Sequence, residues 1–230
     1  NPYGSEIERN VPRKKRVIES FRRLSGIIGK KRTVWRYDPI LLTNRKDIEY
    51  HRKHFELLAS ELKNYTERCI ISFIDMYKKS EMNMKSISVV TMSRQDMLEI
   101  GKMLSETAVR YGLKIEACCE PTDLSPVGIG RAKCIDDGLI SEITGENIAV
   151  RKDINQRDIC LCAESIDIGA YNTCRHGCLY CYANYSDKTV NNNIMKHDPK
   201  SPMLVGNIEP EDKITDRQMI SYRNRQIKLF

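Results

Sequence analysis

Five of the nine cysteines in this 230-residue chain fall between Cys160 and Cys181, at separations of two, twelve, four and three residues. The tightest group is Cys174-Arg-His-Gly-Cys178-Leu-Tyr-Cys181, a C-x3-C-x2-C run. Thiolates are soft ligands that select iron–sulfur clusters, copper(I) and zinc. Three of them on one short loop can hold three irons of a [4Fe–4S] cubane and leave the fourth iron open to an exchangeable ligand. Zinc favours two C-x2-C pairs, or Cys with His at set spacing; here it would recruit His176 or Cys162 as a fourth ligand. Disulfides suit the pattern poorly, because the count is odd and bridges between such near neighbours would be strained.

The remaining cysteines leave three readings open. Cys160 or Cys162 can close the same cluster as a fourth ligand, making it an electron-transfer centre. Alternatively Cys118 or Cys119, with Cys134, Cys160 and Cys162, can hold a second metal. The third reading makes them buried small apolar residues, as free cysteines often are. Cys69 lies inside an apolar run and belongs to the core. His176, within the loop, reads as an orienting group or a donor to a cluster sulfur.

A second set of candidates is carboxylates that end apolar runs. Asp38, Asp75 and Glu116 do so at intervals of 37 and 41 residues. Such positions lie on the face where α/β proteins build their sites, and Arg36 would share it. An arginine among two or three carboxylates can hold a polar substrate or serve in acid–base work; helix capping or strand-end ion pairing is the plainer role. His51 and His54, three apart among Arg52 and Lys53, read as a solvated helix face.

The elements that must position these groups follow from periodicity. Helical spacing of Val17, Ile18, Phe21, Leu24, Ile27 and Ile28 predicts a helix from Pro12 to Gly29. Thr33 to Tyr37 predicts a strand ended by Asp38-Pro39. A helix from Asp47 to Lys63 presents Ile48, Phe55, Leu58 and Leu62, and Cys69 to Ile74 forms the next strand. Ser93 caps a third helix with Met97, Ile100, Leu104 and Val109 on its apolar face, ended by Gly112. Leu113 to Ala117 is the third strand. Alternation of this kind predicts an α/β fold with parallel pairing, as in a TIM-like (βα) barrel or a doubly wound sheet. Three units do not close a barrel, so the barrel reads as incomplete or permuted, with strands expected upstream. The organisation is then (βα) units over 1–120, a cysteine-rich segment over 121–187 containing a short helix from Asp136 to Ile143, and a loop and tail over 188–230. The stretch from Asp187 to Pro210, rich in Asn, Asp and Pro, predicts a loop.

Hydrophobic residues make up 40% and charged residues 30% of the chain, the balance of a folded soluble protein. No run approaches the roughly 18 apolar residues of a membrane span, and residues 1–16 carry no secretory core, so a cytoplasmic location is expected. The charge of +7 is uneven: residues 1–54 hold fifteen Lys/Arg against six Asp/Glu, a net of +9, leaving −2 for the rest. Arg13 to Arg16 and Lys30 to Arg32 form either a solvated helix face or a patch for nucleic acid within residues 13–32.

The run Asn172 to Ala183, NTCRHGCLYCYA, resembles the cluster loop of radical S-adenosylmethionine enzymes, with Tyr180 as the aromatic of C-x3-C-x-aromatic-C, and within them the spore photoproduct lyase-related branch. Over a longer span the chain resembles the DUF1848 proteins, a bacterial family without an assigned reaction. Tyr37 to Ile40, Ile71 to Asp75, Lys133 to Asp136, Glu164 to Gly169 and the cysteine loop carry that likeness. It implies a barrel-like body and a [4Fe–4S] cluster on Cys174, Cys178 and Cys181 able to engage S-adenosylmethionine. Since 49 residues follow Cys181, the barrel strands would precede the loop. Finally, Gln226-Ile-Lys-Leu229-Phe230 resembles the bacterial sliding-clamp-binding pentapeptide, in which Leu and Phe would anchor in a pocket and Gln bond at its rim. Three functions therefore stand: a radical-type iron–sulfur enzyme, a non-catalytic iron–sulfur protein of DNA maintenance tethered to the clamp, and a zinc-stabilised binding module.

Overall fold

The computed structural model describes residues 1–223. Helix α1 (Lys14–Ile28) leads into strand β1 (Trp35–Ile40), the short strand β2 (Leu42–Thr43) and helix α2 (Ile48–Leu62). Strand β3 (Arg68–Phe73), helix α3 (Lys78–Met84) and strand β4 (Val89–Val90) follow, then helix α4 (Arg94–Arg110) and strand β5 (Lys114–Ala117). The remaining elements are β6 (Gly130–Arg131), α5 (Asp137–Thr144) and α6 (Asp187–Met195). Strands β1, β3, β5 and β6 form one parallel sheet in that order, while β2 and β4 pair antiparallel as a separate ribbon.

The caps explain the helix starts. Asp47 accepts from the Tyr50 amide at 2.8 Å, and Ser93 with Asp96 makes a reciprocal capping box at the head of α4. Asp136 caps α5 by accepting from the Leu139 amide. Helix α4 gives way to β5 through Gly112 at φ 68°, a conformation most side chains avoid.

Strand alternation then sorts the two faces of the sheet. Trp35, Tyr37, Cys69, Ile71, Phe73, Ile115 and Ala117 are buried against Phe55, Ala59 and Leu62 of α2 and Ile100, Met103, Leu104 and Ala108 of α4. Trp35 and Phe55 stack with ring centroids 4.7 Å apart. Each of the larger aliphatic and aromatic side chains contributes on the order of 1.5–3 kcal/mol by leaving water. The opposite face is polar. Arg36, Ile70, Glu116 and Gly130 stand in register across it, and the half-buried Arg68 guanidinium binds Glu116 at 2.7 Å and Asp136 at 2.9 Å.

A second apolar cluster joins Tyr3 and Ile7 to Leu41, Met84 and Leu179, so the first residues of the chain are packed against the cysteine loop.

Several expectations are corrected. Strand β1 does not end at Asp38-Pro39 but runs through it to Ile40. The stretch from Asp187 is not all loop: nine residues form α6, capped by Ser186. Val17, Leu24, Ile27 and Val109 sit on predicted apolar faces yet are exposed. In α1 the inward positions are Ile18, Phe21 and Ser25. His51 is not on a solvated face; it is fully buried, with Nδ1 2.8 Å from the Tyr37 hydroxyl and Nε2 2.9 Å from the Leu41 carbonyl. The sheet also continues past residue 120, since β6 pairs with β5.

Candidate metal centre and strand-end site

The cysteine loop is positioned by the first residues of the chain. Asn10 donates its amide to the His176 carbonyl at 2.9 Å and its side-chain Nδ2 to the Arg175 carbonyl at 2.9 Å. The Leu179 amide donates to the Ile7 carbonyl at 2.9 Å, and Glu8 bridges to Cys178 as a short antiparallel pair. Leu179 is buried beneath, and the Tyr180 hydroxyl donates to Glu8 Oε1 at 2.6 Å. Glu8 is itself 5% exposed and ion-paired with Lys14. Burial first and Glu8 second push the Tyr180 pKa well above its usual value, so it remains a donor. The Cys174 carbonyl is held by Asn184 Nδ2 at 2.7 Å. Gly177 turns the loop at φ 60°, and a side chain there would press on Asn10.

Cys174 is exposed, while Cys178 and Cys181 are half-buried. Burial raises the Cys178 pKa against a hydrogen bond from Tyr180, with Glu8 and then the Cys181 and Cys174 thiols adding to the rise. Cys178, Cys181 and Gly177 line a cavity of about 200 Å³, and Cys174 faces a second of about 460 Å³ on the other side of Gly177. Among the described residues, no three Cys, His, Asp or Glu side chains converge in a geometry ready to hold a metal ion. In donor type and number the loop nevertheless suits a three-thiolate cluster, and its backbone is fixed at Cys174, His176, Cys178 and Leu179 while the sulfurs keep their rotamer freedom. The imidazole of His176 is exposed; its part in positioning the loop is the carbonyl bond from Asn10.

The strand-end groups gather on the polar face. Arg36 binds Asp38 through Nε at 3.1 Å and Nη2 at 2.5 Å, and Ser72 donates to the other Asp38 oxygen. Burial works against the Arg36 charge, but Asp38 outweighs it and the pKa rises. Asp75 pairs with Arg157 at 2.6 Å. Glu116 does not join them, because its carboxylate is engaged by Arg68 and Lys114 further down the strands.

The place expected of Glu116 is filled by Glu120, which sequence reasoning missed. Its Oε1 accepts from the Phe73 amide at 2.8 Å, and burial, with Asp75 and Asp38 adding to it, pushes its pKa up to about 7. The signal was present in Cys118-Cys119-Glu120-Pro121, an acidic residue just past a strand and just before a proline. Tyr182, next to Cys181, lies with its ring centroid 5.7 Å from that of Tyr77, two residues past Asp75. That contact brings the cysteine loop to the ends of the strands.

Five more cysteines collect around the same strand ends. Cys118 and Cys134 approach to 3.1 Å between sulfurs, and Arg36 Nη1 lies 2.9 Å from Cys134 Sγ. The bond from Cys118, and then Arg36, favour the Cys134 thiolate, lowering its pKa to about 5, while the same bond keeps the proton on Cys118. Cys162 Sγ accepts from the amides of Cys134 at 3.2 Å and Ile135 at 3.5 Å. Cys119 is raised by burial and by contact with Cys160, against Arg157. Cys69 is buried in the core as expected, and burial raises its thiol pKa.

The basic first segment is neutralised locally in part: Lys14, Arg22, Lys30 and Lys31 pair with Glu8, Glu61, Glu67 and Glu142. Arg13, Lys15, Arg16, Arg23 and Arg32 form no ion pair among the described residues. No helix among the described residues is long and apolar enough to cross a membrane. The clamp-like residues Gln226, Leu229 and Phe230 lie outside the described residues.

No curated protein and no solved structure matches this chain. A family model described as a domain of unknown function, DUF1848, matches residues 1–183, from the segment that docks the loop through the last cysteine of the C-x3-C-x2-C run. The chain belongs to the DUF1848 family.

Proposed function

We propose that this protein is a radical-type iron–sulfur enzyme, with Cys174, Cys178 and Cys181 as ligands of a [4Fe–4S] cluster and S-adenosylmethionine at its open iron. Such a cluster, once bound, supplies one-electron reduction of that ligand. The single observation carrying the reading is the Tyr182–Tyr77 contact, which sets the cysteine loop beside Arg36, Asp38, Asp75 and Glu120. These residues would do the rest. Arg36 and Asp38 would orient a polar substrate, and Glu120, with a pKa near 7, would give or take a proton close to neutral pH. Leu179 and Tyr180 hold the loop down, and the buried cluster of Tyr3, Ile7 and Leu41 keeps water from beneath it. We read the parallel order of the four strands and their polar face as part of a TIM-like barrel, which the sequential pairing of β1, β3 and β5 supports.

The test is electron paramagnetic resonance of the reduced, anaerobically reconstituted protein, with and without S-adenosylmethionine. The expected result is a cubane signal that changes when S-adenosylmethionine is added and disappears in the Cys174→Ser/Cys178→Ser/Cys181→Ser variant. Failure to form 5′-deoxyadenosine from reduced, iron-loaded protein would remove the enzymatic reading. A signal insensitive to S-adenosylmethionine would favour a closed electron-transfer cluster, and colourless protein carrying zinc on the loop would replace both.

A further inference from the structure

We infer that Cys118, Cys134 and Cys162, with one thiol of the adjoining Cys119–Cys160 pair as the fourth ligand, form a second, tetrahedral metal site for a thiophilic divalent ion such as zinc, separate from the loop of Cys174 to Cys181. The five cysteines come from three segments and make two sets of contacts, joined by the backbone at Cys118-Cys119 and by the short span from Cys160 to Cys162. Cys160 meets Cys119, its neighbour Cys118 meets Cys134 at 3.1 Å, and the Cys134 amide donates to Cys162 Sγ at 3.2 Å.

Four further observations suit a metal thiolate. The 3.1 Å separation of the sulfurs is far longer than a disulfide bond of about 2.05 Å. It is somewhat shorter than the spacing set by about 2.3 Å zinc–sulfur bonds at a tetrahedral angle. Sulfurs at such a distance spread onto a shared ion through a modest change at χ1, the one rotatable bond each side chain has. The amides of Cys134 and Ile135 both point at Cys162 Sγ, and outer donors of that kind hold metal-bound thiolates. Arg36 reaches Cys134, and Arg157 stands at Cys119, so two guanidinium charges offset the thiolates.

The backbone supplies the fourth point. Cys119 adopts φ 59°, a left-handed conformation that costs a non-glycine residue on the order of 1 kcal/mol. In an ordinary strand Cys118 and Cys119 would point to opposite faces. The left-handed turn at Cys119 departs from that alternation, with Cys118 meeting Cys134 and Cys119 meeting Cys160. Strain of that kind persists where the surroundings over-determine it, as they do at ligand sites.

The experiment uses the full chain with Cys174, Cys178 and Cys181 changed to Ser, which removes the loop site and makes the two proposals independent. Titration with cobalt(II) as the probe should give thiolate-to-cobalt charge-transfer absorption saturating at about one ion per chain. Zinc should displace it. Adding Cys134→Ser or Cys162→Ser should weaken cobalt binding by roughly tenfold or more, whereas adding Cys69→Ala should not. Lack of thiolate–cobalt absorption overturns the proposal, as does binding unchanged by C134S and C162S, or a Cys118–Cys134 disulfide in protein purified with thiol reductant. Should the loop-serine protein fail to fold, the Cys118→Ser/Cys134→Ser/Cys162→Ser variant is compared with the unaltered chain for zinc. A deficit of about one zinc per chain is expected, and equal content overturns the assignment.

Discussion

Replacing Tyr180 by Phe tests how the cysteine loop is held. The change deletes one oxygen, which donates to the buried Glu8 carboxylate at 2.6 Å, and leaves the ring against Tyr3. A hydrogen bond to a charged group is worth about 1.5–3 kcal/mol. Lys14 still pairs with Glu8, so the carboxylate is not abandoned, and the lower end of that range is expected. A loss of about 1.5 kcal/mol confined to the loop raises its open population roughly tenfold. Trypsin reports that population at the exposed Arg175, so cleavage there should accelerate by about the same factor. Equilibrium denaturation of the parent, Tyr180→Phe, Glu8→Gln and the double variant closes a mutant cycle. A coupling of about 1 kcal/mol or more is expected. Additive effects, or cleavage at Arg175 unchanged in Tyr180→Phe, would refute the account.

Other perturbations follow from the same contacts. Arg68→Met leaves the buried Glu116 with Lys114 alone and removes the ion pair of the half-buried Asp136, and should cost about 1.5–3 kcal/mol in urea denaturation, against well under 1 for the exposed Lys15→Met. Neutral His51 is buried with its pKa lowered to about 4, chiefly by burial. The unfolded chain takes up its proton below about 6.5, so stability present above that pH should fall by up to about 3 kcal/mol as pH drops toward 4. His51→Gln should remove that part of the acid dependence; parallel pH profiles for the two proteins would contradict it. Gly177→Ala forces a side chain into a left-handed turn against Asn10, and should destabilise the loop by about 1–2 kcal/mol and slow iron uptake during reconstitution. Equal uptake by both proteins would show that the turn does not set the loop's shape.

Local chemistry made much of this protein legible before any coordinates. Asp47, Ser93 and Asp136 announce helix starts because their side chains satisfy amides only a few residues away. Cys69 to Ile74 announces a buried strand because a short apolar run admits few other fates. The C-x3-C-x2-C loop announces three neighbouring thiols by spacing alone. Helix α6 was obscured by Asn and Asp, residues that suit turns as readily as a capped helix.

What lay beyond the sequence was set by contacts between distant segments. Glu116 and Glu120 are both acidic residues near the end of β5, and only the reach of Arg68 decides that the first is an ion-pair partner. Burial against the Phe73 amide then makes the second a proton-holding group. Val17 and Val109 look like core residues until packing turns other faces of their helices inward. The cysteines show the division most clearly. Type and spacing determined that Cys174, Cys178 and Cys181 bring three thiols onto one short segment. Only tertiary structure placed that loop on residues 7–10 and drew Cys118, Cys134 and Cys162 together from positions up to 44 residues apart. Spacing governs neighbours within a few residues, whereas long-range proximity is settled by strand register and burial.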